Sequence, residues 1–155
     1  MKISVLTPTY NCGNTISDSL AAFNQQSYED VEHIVIDGES FDETLEKLLA
    51  DEADYRKVIS EKDAGIYDAL NKGLQLSCGE VVGILHADDI YADTEVLARV
   101  SECFKNPEVL VVYGDLVYVD KVNPLKIVRN WVSGKFTSSN LARGWMPPHP
   151  TLFLR

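Results

Sequence analysis

Continuous apolar runs and amphipathic stretches alternate along the first 115 residues of the chain. Five apolar runs predict strands at about residues 2–7, 32–37, 57–60, 80–85 and 109–113. Apolar residues at helical spacing predict four intervening helices, which begin near Asn14, near Ser40 or Asp42, near Ile66 and near Thr94. Their predicted apolar faces are, in chain order, Ile16, Leu20 and Phe23; Leu45, Leu48 and Leu49; Ile66, Leu70 and Leu74; and Val96, Leu97, Val100 and Phe104. Alternating strands and helices indicate right-handed crossovers and a mostly parallel sheet. The predicted fold class is therefore α/β, with helices flanking the central sheet.

The pattern changes after residue 115. Residues 117–119 and 126–128 predict an antiparallel hairpin across 120–124, and residues 130–150 are rich in Trp, Gly and Pro. We expect that loop-rich segment to form a lid or an acceptor wall. The chain closes on an apolar run at 151–154. A domain usually continues beyond such a run, so we expect this chain to be C-terminally truncated.

Polar residues follow three of the predicted strands at the point where each strand ends. Residues 7–11 (TPTYN) follow the first strand, Asp37 and Gly38 follow the second, and Asp88 and Asp89 follow the fourth. In open parallel sheets, ligands bind outside the carboxyl ends of the strands. The sequence therefore predicts one shared crevice that is built from these ends.

Asp88 and Asp89 are candidate metal ligands. Adjacent carboxylates at the end of a buried strand repel each other and lose hydration, and Mn²⁺ or Mg²⁺ would relieve both penalties. Asp89 is the preferred ligand, and Asp88 ligates the metal or bonds a ribose or sugar hydroxyl. An acidic turn that caps the helix near Thr94 stays open as an alternative.

Asp37 is a candidate for binding a nucleobase. A carboxylate that ends a buried strand needs a partner, and it can accept an N–H from uracil or guanine. A tight turn before a capped helix explains it equally well. No glycine-rich phosphate fingerprint occurs, so Thr7, Pro8, Thr9 and Tyr10 are expected to edge a base with their backbone.

The segment between the third strand and the third helix is unusually polar. Asp63 and Gly65 lie at this joint, where the helix N-terminus faces the predicted crevice. Asn71 is expected on the sheet-facing side of the helix with Tyr67. A solvated helix face is the alternative for the charged residues here.

Composition narrows the class of protein. The formal net charge of −10 disfavours a surface that tracks nucleic-acid phosphates. No apolar stretch suggests a membrane span, and the chain enters a strand at once, so we expect a cytoplasmic protein that reaches a membrane's inner face through a partner. Cys12, Cys78 and Cys103 are too widely spaced for a zinc site and are expected to be reduced structural thiols.

Two of the three histidines, His86 and His149, lie near candidate site motifs. His86 lies two residues before Asp88, and His149 lies between two prolines. Each is a candidate site residue, with a structural role as the alternative. No Ser/His/Asp set has recognisable spacing, so acyl transfer is unsupported.

Together these motifs resemble those of family 2 glycosyltransferases, which have the GT-A fold. The resemblance covers the whole chain, and residues 61–73 resemble a pattern of the bacterial exopolysaccharide, colanic-acid and O-antigen branch. The motifs that carry it are Thr7–Asn11, Asp37-Gly38 with Ser40 and Asp42, Glu61–Gly73, Gly79-Glu80, Leu85–Asp89, Gly114-Asp115, and His149 with Phe153 and Arg155.

The resemblance implies site roles. Thr7, Pro8, Thr9 and Asp37 would line the nucleoside site, with Asp63 and Asn71 beside the nucleotide or sugar. Asp88 and Asp89 would stand in for the metal-binding D-x-D motif. The chain departs from the fuller D-x-D-D form, because His86 occupies the first acidic position.

The implied reaction transfers a sugar from a UDP- or GDP-sugar to a saccharide or lipid-linked acceptor, with inversion. The family's general base normally lies downstream of His149, so none is assigned here, and Asp115 and His149 are placed on the acceptor side. Residues 1–155 would form one domain, with 1–115 binding the donor and 116–155 beginning the acceptor part. The alternatives are a binding module without catalysis and, ranked low, a sugar nucleotidyltransferase.

Overall fold

The computed structural model describes residues 1–120 and 123–155. Its strands and helices alternate in the predicted order through the first half of the chain. The strands are β1 (Ile3–Thr9), β2 (Val31–Asp37), β3 (Arg56–Ser60), β4 (Val81–Ile84), β5 (Val111–Val112), β6 (Leu116–Val119), β7 (Ile127–Trp131) and β8 (Phe153–Leu154). The helices are α1 (Ile16–Asn24), α2 (Thr44–Ala50), α3 (Ile66–Leu76), α4 (Val96–Cys103) and α5 (Ser138–Ala142).

The main sheet has the strand order β3-β2-β1-β4-β8-β5. Strands β1 to β4 pair in parallel, whereas β8 runs antiparallel to both β4 and β5. Thr9 is paired with Asp37, and Asp37 with Ser60, so three neighbouring strand ends lie level. The predicted α/β class with a mostly parallel sheet is confirmed.

The terminal apolar run enters the sheet. Phe153 is 3% exposed and pairs with Gly83 of β4 and Val112 of β5. Strand β5 is shorter than the predicted 109–113 and reaches the rest of the sheet through β8. Local periodicity cannot reveal such an insertion, because the partners lie about 40 and 70 residues away along the chain.

Helix α1 packs as predicted, whereas α3 does not. Ile16, Leu20 and Phe23 are buried in the core. In α3 the buried residues are Ala69 and Gly73, while the predicted apolar positions Ile66 and Leu74 are 47% and 54% exposed.

The reason for the α3 difference is a close approach between helix and sheet. A Cβ at Gly73 would lie 3.3 Å from Leu6 Cδ2. The helix therefore turns its small residues, rather than its large ones, toward β1 and β2. As a result Tyr67 and Asn71 are exposed, and the prediction that they face the sheet is wrong.

The helix starts also differ in detail. The N-cap position of α1 is Thr15 rather than Asn14, and that of α2 is Glu43. The Asp42 carboxylate still accepts a hydrogen bond from the Thr44 N–H at 2.9 Å. On α2, Leu48 is buried, but the predicted core residue Leu49 is 59% exposed.

Strands β6 and β7 form the predicted antiparallel hairpin as a separate two-stranded sheet. Part of its predicted connection, residues 121–122, lies outside the described residues. None of the helices within 1–120 and 123–155 has the length and apolar character of a membrane span.

Candidate functional site

A cavity of about 580 Å³ opens at the carboxyl ends of β1 to β4. Its size suits a small-molecule ligand. Each of the four strands contributes residues at or just beyond its last position. We call this cavity the crevice; it is lined by Pro8, Thr9, Tyr10, Cys12, Gly38, Glu39, Lys62, Asp63, Gly65, Ile66, Ala69, His86, Ala87 and Asp88. The predicted shared crevice therefore exists.

The loops after β1 and β2 are joined by hydrogen bonds at the crevice. The Asn11 N–H donates to Ser40 Oγ at 2.8 Å, and the Phe41 N–H donates to Asn11 Oδ1 at 3.1 Å. Asn11 and Glu39 have positive φ values of 52° and 64°, a sparsely populated region for residues other than glycine. Tyr10 and Phe41 meet edge to face with ring centroids 6.1 Å apart.

Asp37 is completely buried beneath this joint. Its carboxylate accepts hydrogen bonds from the Ser40 N–H at 3.0 Å, from the Ser40 hydroxyl, and from the Ser60 hydroxyl at 2.6 Å. These bonds fix the loop after β2 and tie it to the end of β3. Asp37 does not line the crevice; the next residue, Gly38, does.

Thr7 and Thr9 have different surroundings although both are buried in β1. The Thr7 hydroxyl lies 2.9 Å from His33 Nε2, away from the crevice. Thr9 lines the crevice, and its buried hydroxyl has no hydrogen-bond partner in the described part of the protein. An unpaired buried hydroxyl is costly, so Thr9 is the better candidate for a ligand contact.

Asp63 stands at the entrance to α3. It accepts a hydrogen bond from the Gly65 N–H at 2.8 Å, and Gly65 has a φ of 108°. The Asp63 carboxylate also lies against Gly38 at the end of β2. The strand–helix joint is thereby held at the crevice.

Asp88 and Asp89 lie beyond β4, with Asp88 on the crevice wall. Burial, and then the charge of Asp88, raise the pKa of the Asp89 carboxyl. Within the described ranges neither carboxylate accepts a hydrogen bond or forms an ion pair. Two unneutralised carboxylates fit a hard divalent cation. No group of three or more His, Cys, Asp or Glu that could hold a metal was found among the residues the structure describes.

His86 and His149 contact each other beside this pair of carboxylates. Their Nε2 atoms are 3.1 Å apart, and their rings meet edge to face. Burial lowers the pKa of His86. The predicted acceptor-side residue His149 thus contacts His86 of the crevice wall across 63 positions of sequence, although His149 itself does not line the crevice.

The other two members of the His149 motif have structural contacts. Phe153 packs in the core, and Arg155 donates to the Pro107 carbonyl at 3.0 Å and to the Phe104 carbonyl just beyond α4. The Arg155 guanidinium also lies 5.1 Å from the centroid of the Phe104 ring. The motif therefore anchors the end of the chain and positions His149.

Two further predicted site residues, Asn71 and Asp115, also lie outside the crevice. Asn71 is exposed on α3 and does not line it. Asp115 accepts hydrogen bonds from the Ser133 N–H at 2.8 Å and hydroxyl at 2.7 Å, and these bonds lower the pKa of its carboxyl. Asp115 thus joins the start of β6 to the segment after β7.

Sequence reasoning gave no site role to Lys62, Glu39 or Ile66, all of which line the crevice. Lys62 could have been recognised as a candidate site residue, since it is a cation within the polar segment between β3 and α3. Ile66 was expected in the core because its spacing fits an apolar helix face. Its exposure follows from the close approach of α3 to the sheet.

The sheet order and the crevice at its strand ends define an α/β protein with the GT-A architecture of glycosyltransferases. The sequence profile described as glycosyl transferase family 2 matches residues 4–152. The chain belongs to that family.

Curated relatives include a PGL/p-HBAD biosynthesis glycosyltransferase of Mycobacterium bovis, 34% identical over 118 residues that cover 74% of this chain and 46% of the relative. An uncharacterised glycosyltransferase of Nostoc is 31% identical over 123 residues, 77% of this chain and 38% of the relative. The chain spans less than half the length of these relatives.

Among solved structures, a mannosyltransferase from Pyrobaculum calidifontis in complex with GDP-Man and Mn²⁺ is 28% identical, with a TM-score of 0.67 over 72% of this chain and 34% of that one. Residues 1–349 of S. aureus TarS with UDP-GlcNAc superpose with a TM-score of 0.71 over 79% of this chain and 36% of that one. At 24% identity the TarS match shows the fold alone.

Proposed function

We propose that this chain binds a UDP- or GDP-sugar in the crevice and takes part in metal-assisted transfer of the sugar to a saccharide or lipid-linked acceptor, with inversion. The observation that carries the proposal is the convergence of Thr9, Gly38, Asp63 and Asp88 from four strands on one cavity. The GDP-Man and Mn²⁺ complex of the Pyrobaculum calidifontis mannosyltransferase is consistent with it.

The base would lie against the exits of β1 and β2. Pro8 and Thr9 line this part of the crevice, and Tyr10, which is 57% exposed, offers a ring face or edge to a base. The unpaired Thr9 hydroxyl would hydrogen-bond the nucleoside. Asp37 would support nucleotide binding indirectly, because its carboxylate holds the loop after β2. A direct hydrogen bond from the base to Asp37 would use a carboxylate lone pair that Ser40 and Ser60 leave free.

The diphosphate and sugar would lie toward β3, α3 and β4. The Lys62 ammonium on the crevice wall is suited to a phosphate oxygen, and Asp63 to a ribose or sugar hydroxyl. Asn71 would reach the sugar from the outer face of α3. Asp88 would bond a hydroxyl or share in holding the cation.

Asp88 and Asp89 would hold Mn²⁺ or Mg²⁺, because no described residue donates a hydrogen bond to their carboxylates or forms an ion pair with them. The bound cation would offset the charge that develops on the departing diphosphate. His86 and His149 contact each other beside these carboxylates, and His86 lines the crevice.

The acceptor would be bound by the C-terminal part of the chain. His149, which contacts His86 of the crevice wall, would contact the acceptor, and residues 116–155 would form the start of the acceptor side. Asp115 is not assigned as the general base, because Ser133 holds its carboxylate and lowers its pKa. The proposed setting is cell-surface polysaccharide synthesis of the exopolysaccharide, colanic-acid or O-antigen type, at the cytoplasmic face of a membrane.

A binding module without catalysis is the second candidate. The observation that favours it is that the Asp115 carboxylate is held by two hydrogen bonds from Ser133 and is not free to act as a base. Multiple turnovers of donor hydrolysis or of transfer would rule it out.

Calorimetric titration with UDP and with GDP, each with and without Mn²⁺, tests the proposal. Asp88→Asn and Asp89→Asn should remove the Mn²⁺-dependent part of binding. Asp54→Asn makes the same change at an exposed position just before β3, at the amino ends of the strands and away from the crevice. This variant should bind the nucleotides like the wild type. Folded protein that binds neither nucleotide would refute the proposal.

A further inference from the structure

Charge is divided sharply along the chain. Residues 121–155 contain six of the 14 Lys and Arg residues and none of the 24 Asp and Glu residues. All of the carboxylate side chains therefore belong to the preceding part, which forms most of the crevice. We call residues 123–146, which lie within the described ranges and carry four of these Lys and Arg residues, the basic segment. A domain with such asymmetry has two regions that attract opposite partners.

The basic segment also exposes many large apolar side chains. Leu125, near the tip of the β6–β7 hairpin, is 94% exposed, and Val128 on β7 is 63% exposed. Exposed apolar side chains grouped in this way mark interaction surfaces. Others in the segment are Ile127, Val132, Phe136, Leu141 and Met146.

Cationic and aromatic groups are interleaved with these residues. The Arg129 guanidinium lies 5.3 Å from the ring centroid of Tyr118 and 5.8 Å from that of Trp131. Lys135 and Arg143 are exposed, and neither forms an ion pair with another described residue. Free cations beside exposed apolar and aromatic side chains are typical of surfaces that lie in the headgroup region of a bilayer.

We propose that the hairpin and the basic segment dock on a bilayer of anionic lipids. Leu125 and Val128 would enter the boundary between headgroups and acyl chains, and the cations would contact lipid phosphates. The acidic remainder of the chain would be repelled, which orients the hairpin toward the membrane.

A second copy of the chain is the competing occupant, because its acidic part could attract the same cations. That arrangement would place Leu125 and Val128 against carboxylates, whereas a bilayer accommodates the cations and the apolar side chains together. The observations therefore favour lipid.

The proposed surface is linked to the crevice through His149, which contacts His86, and through β8 in the main sheet. Docking would hold the crevice close to lipid-borne acceptors. The inference goes beyond the proposed function and needs no nucleotide, so failure of either one leaves the other standing.

Flotation of the full chain with vesicles tests this surface. The vesicles are phosphatidylcholine alone or phosphatidylcholine with about 30% phosphatidylglycerol, at low and high NaCl. We expect the wild type to float with the anionic vesicles at low salt and to be released by high salt.

Two double variants test whether vesicle binding depends on the basic segment. Leu125→Glu with Val128→Glu, and separately Lys135→Glu with Arg143→Glu, should each weaken partitioning by about tenfold or more. Leu49→Glu and Lys105→Glu place the same changes at exposed positions on α2 and beyond α4, and should float like the wild type. Circular dichroism confirms that each variant is folded.

Absence of flotation with anionic vesicles would overturn the proposal, as would flotation of the Leu125/Val128 variant at wild-type level. Size-exclusion chromatography in the same buffers detects the competing occupant. A dimer that dissociates in the Lys135/Arg143 variant, without any vesicle binding, would assign the surface to a second copy and overturn the lipid proposal.

Discussion

Gly38 and the Asp63 carboxylate are in contact across the ends of β2 and β3. A Cβ at position 38 would lie 2.7 Å from Asp63 Oδ2, closer than real Cβ atoms approach other heavy atoms. The carboxylate occupies the space that any other residue at position 38 would need for its side chain. Two residues that are 25 positions apart in sequence therefore shape one wall of the crevice.

Gly38→Ala tests this contact. The added methyl group should displace Asp63 and weaken UDP or GDP binding by about tenfold, because misplacing a positioning group costs affinity even when the fold is kept. Isothermal calorimetry measures the effect. Gly114→Ala is the matched control, since a Cβ there would meet its nearest atom, Thr151 Cβ, at an ordinary 3.9 Å. Equal affinities for the two variants would contradict the role of Gly38.

Thr9→Val and Thr7→Val should have opposite effects. The Thr9 hydroxyl has no partner among the described residues, so Thr9→Val should leave the free energy of unfolding unchanged or raise it by up to about 1 kcal/mol, while nucleotide binding weakens. Thr7→Val breaks the contact with His33 and should lower the free energy of unfolding by about 1–2 kcal/mol with binding unchanged. Urea unfolding and calorimetry separate the two. Reversed effects would show that Thr7, not Thr9, faces the ligand.

The insertion of β8 can be tested at Gly83. A Cβ at this position would lie 2.3 Å from Phe153 Cε1, so Gly83→Ala should destabilise the protein by about 2–3 kcal/mol through overpacking. Adding Phe153→Leu makes room for the methyl group. The double variant should therefore lose less free energy of unfolding than the two single variants together, a coupling measured by urea denaturation. Strict additivity would contradict the pairing of β4 with β8.

His33 should make stability pH-dependent. Burial, and then the charge of Arg56, lower the pKa of His33 well below its ordinary 6.5, so the folded protein keeps this imidazole neutral. The unfolded chain takes up the proton below that value, and acid therefore favours unfolding. The contribution of His33 is fully present at neutral pH and falls by up to about 1.4 kcal/mol per pH unit as the pH drops from 6.5.

Urea midpoints measured between neutral pH and about pH 5.5 check this dependence, above the range in which ordinary carboxyls titrate. His33→Asn should flatten the profile, while His86, which is only partly buried, contributes less. A variant that keeps the full wild-type slope would show that another group is responsible.

The elements that could be predicted from the sequence are those with a clear local pattern of apolar residues. Strands β1 to β4 are continuous apolar runs, and α1 carries Ile16, Leu20 and Phe23 at helical spacing, so both the parallel sheet and the crevice at its ends could be predicted. The family followed from the motifs at those ends. Pro8, Thr9, Tyr10, Asp63 and Asp88 line the crevice as predicted.

The errors arose where distant residues decide the geometry. Ile66 was expected in the core, but the approach of Gly73 to Leu6 rotates α3 and exposes it. The terminal apolar run could not be recognised as a strand because its partners lie in β4 and β5. Thr7 and Thr9 are alike in sequence, and the burial of His33 beside Thr7 separates their roles.

The central claim is that the ends of β1 to β4 form one site for a nucleotide and its cation. The most direct test is paramagnetic broadening of backbone amide NMR signals on adding Mn²⁺ in the presence of UDP or GDP. The account predicts the strongest broadening at Asp88 and Asp89, with weaker broadening at Thr9, Gly38 and Asp63, and none at the amino ends of the strands. Broadening centred elsewhere, with Asp88 and Asp89 unaffected, would contradict it.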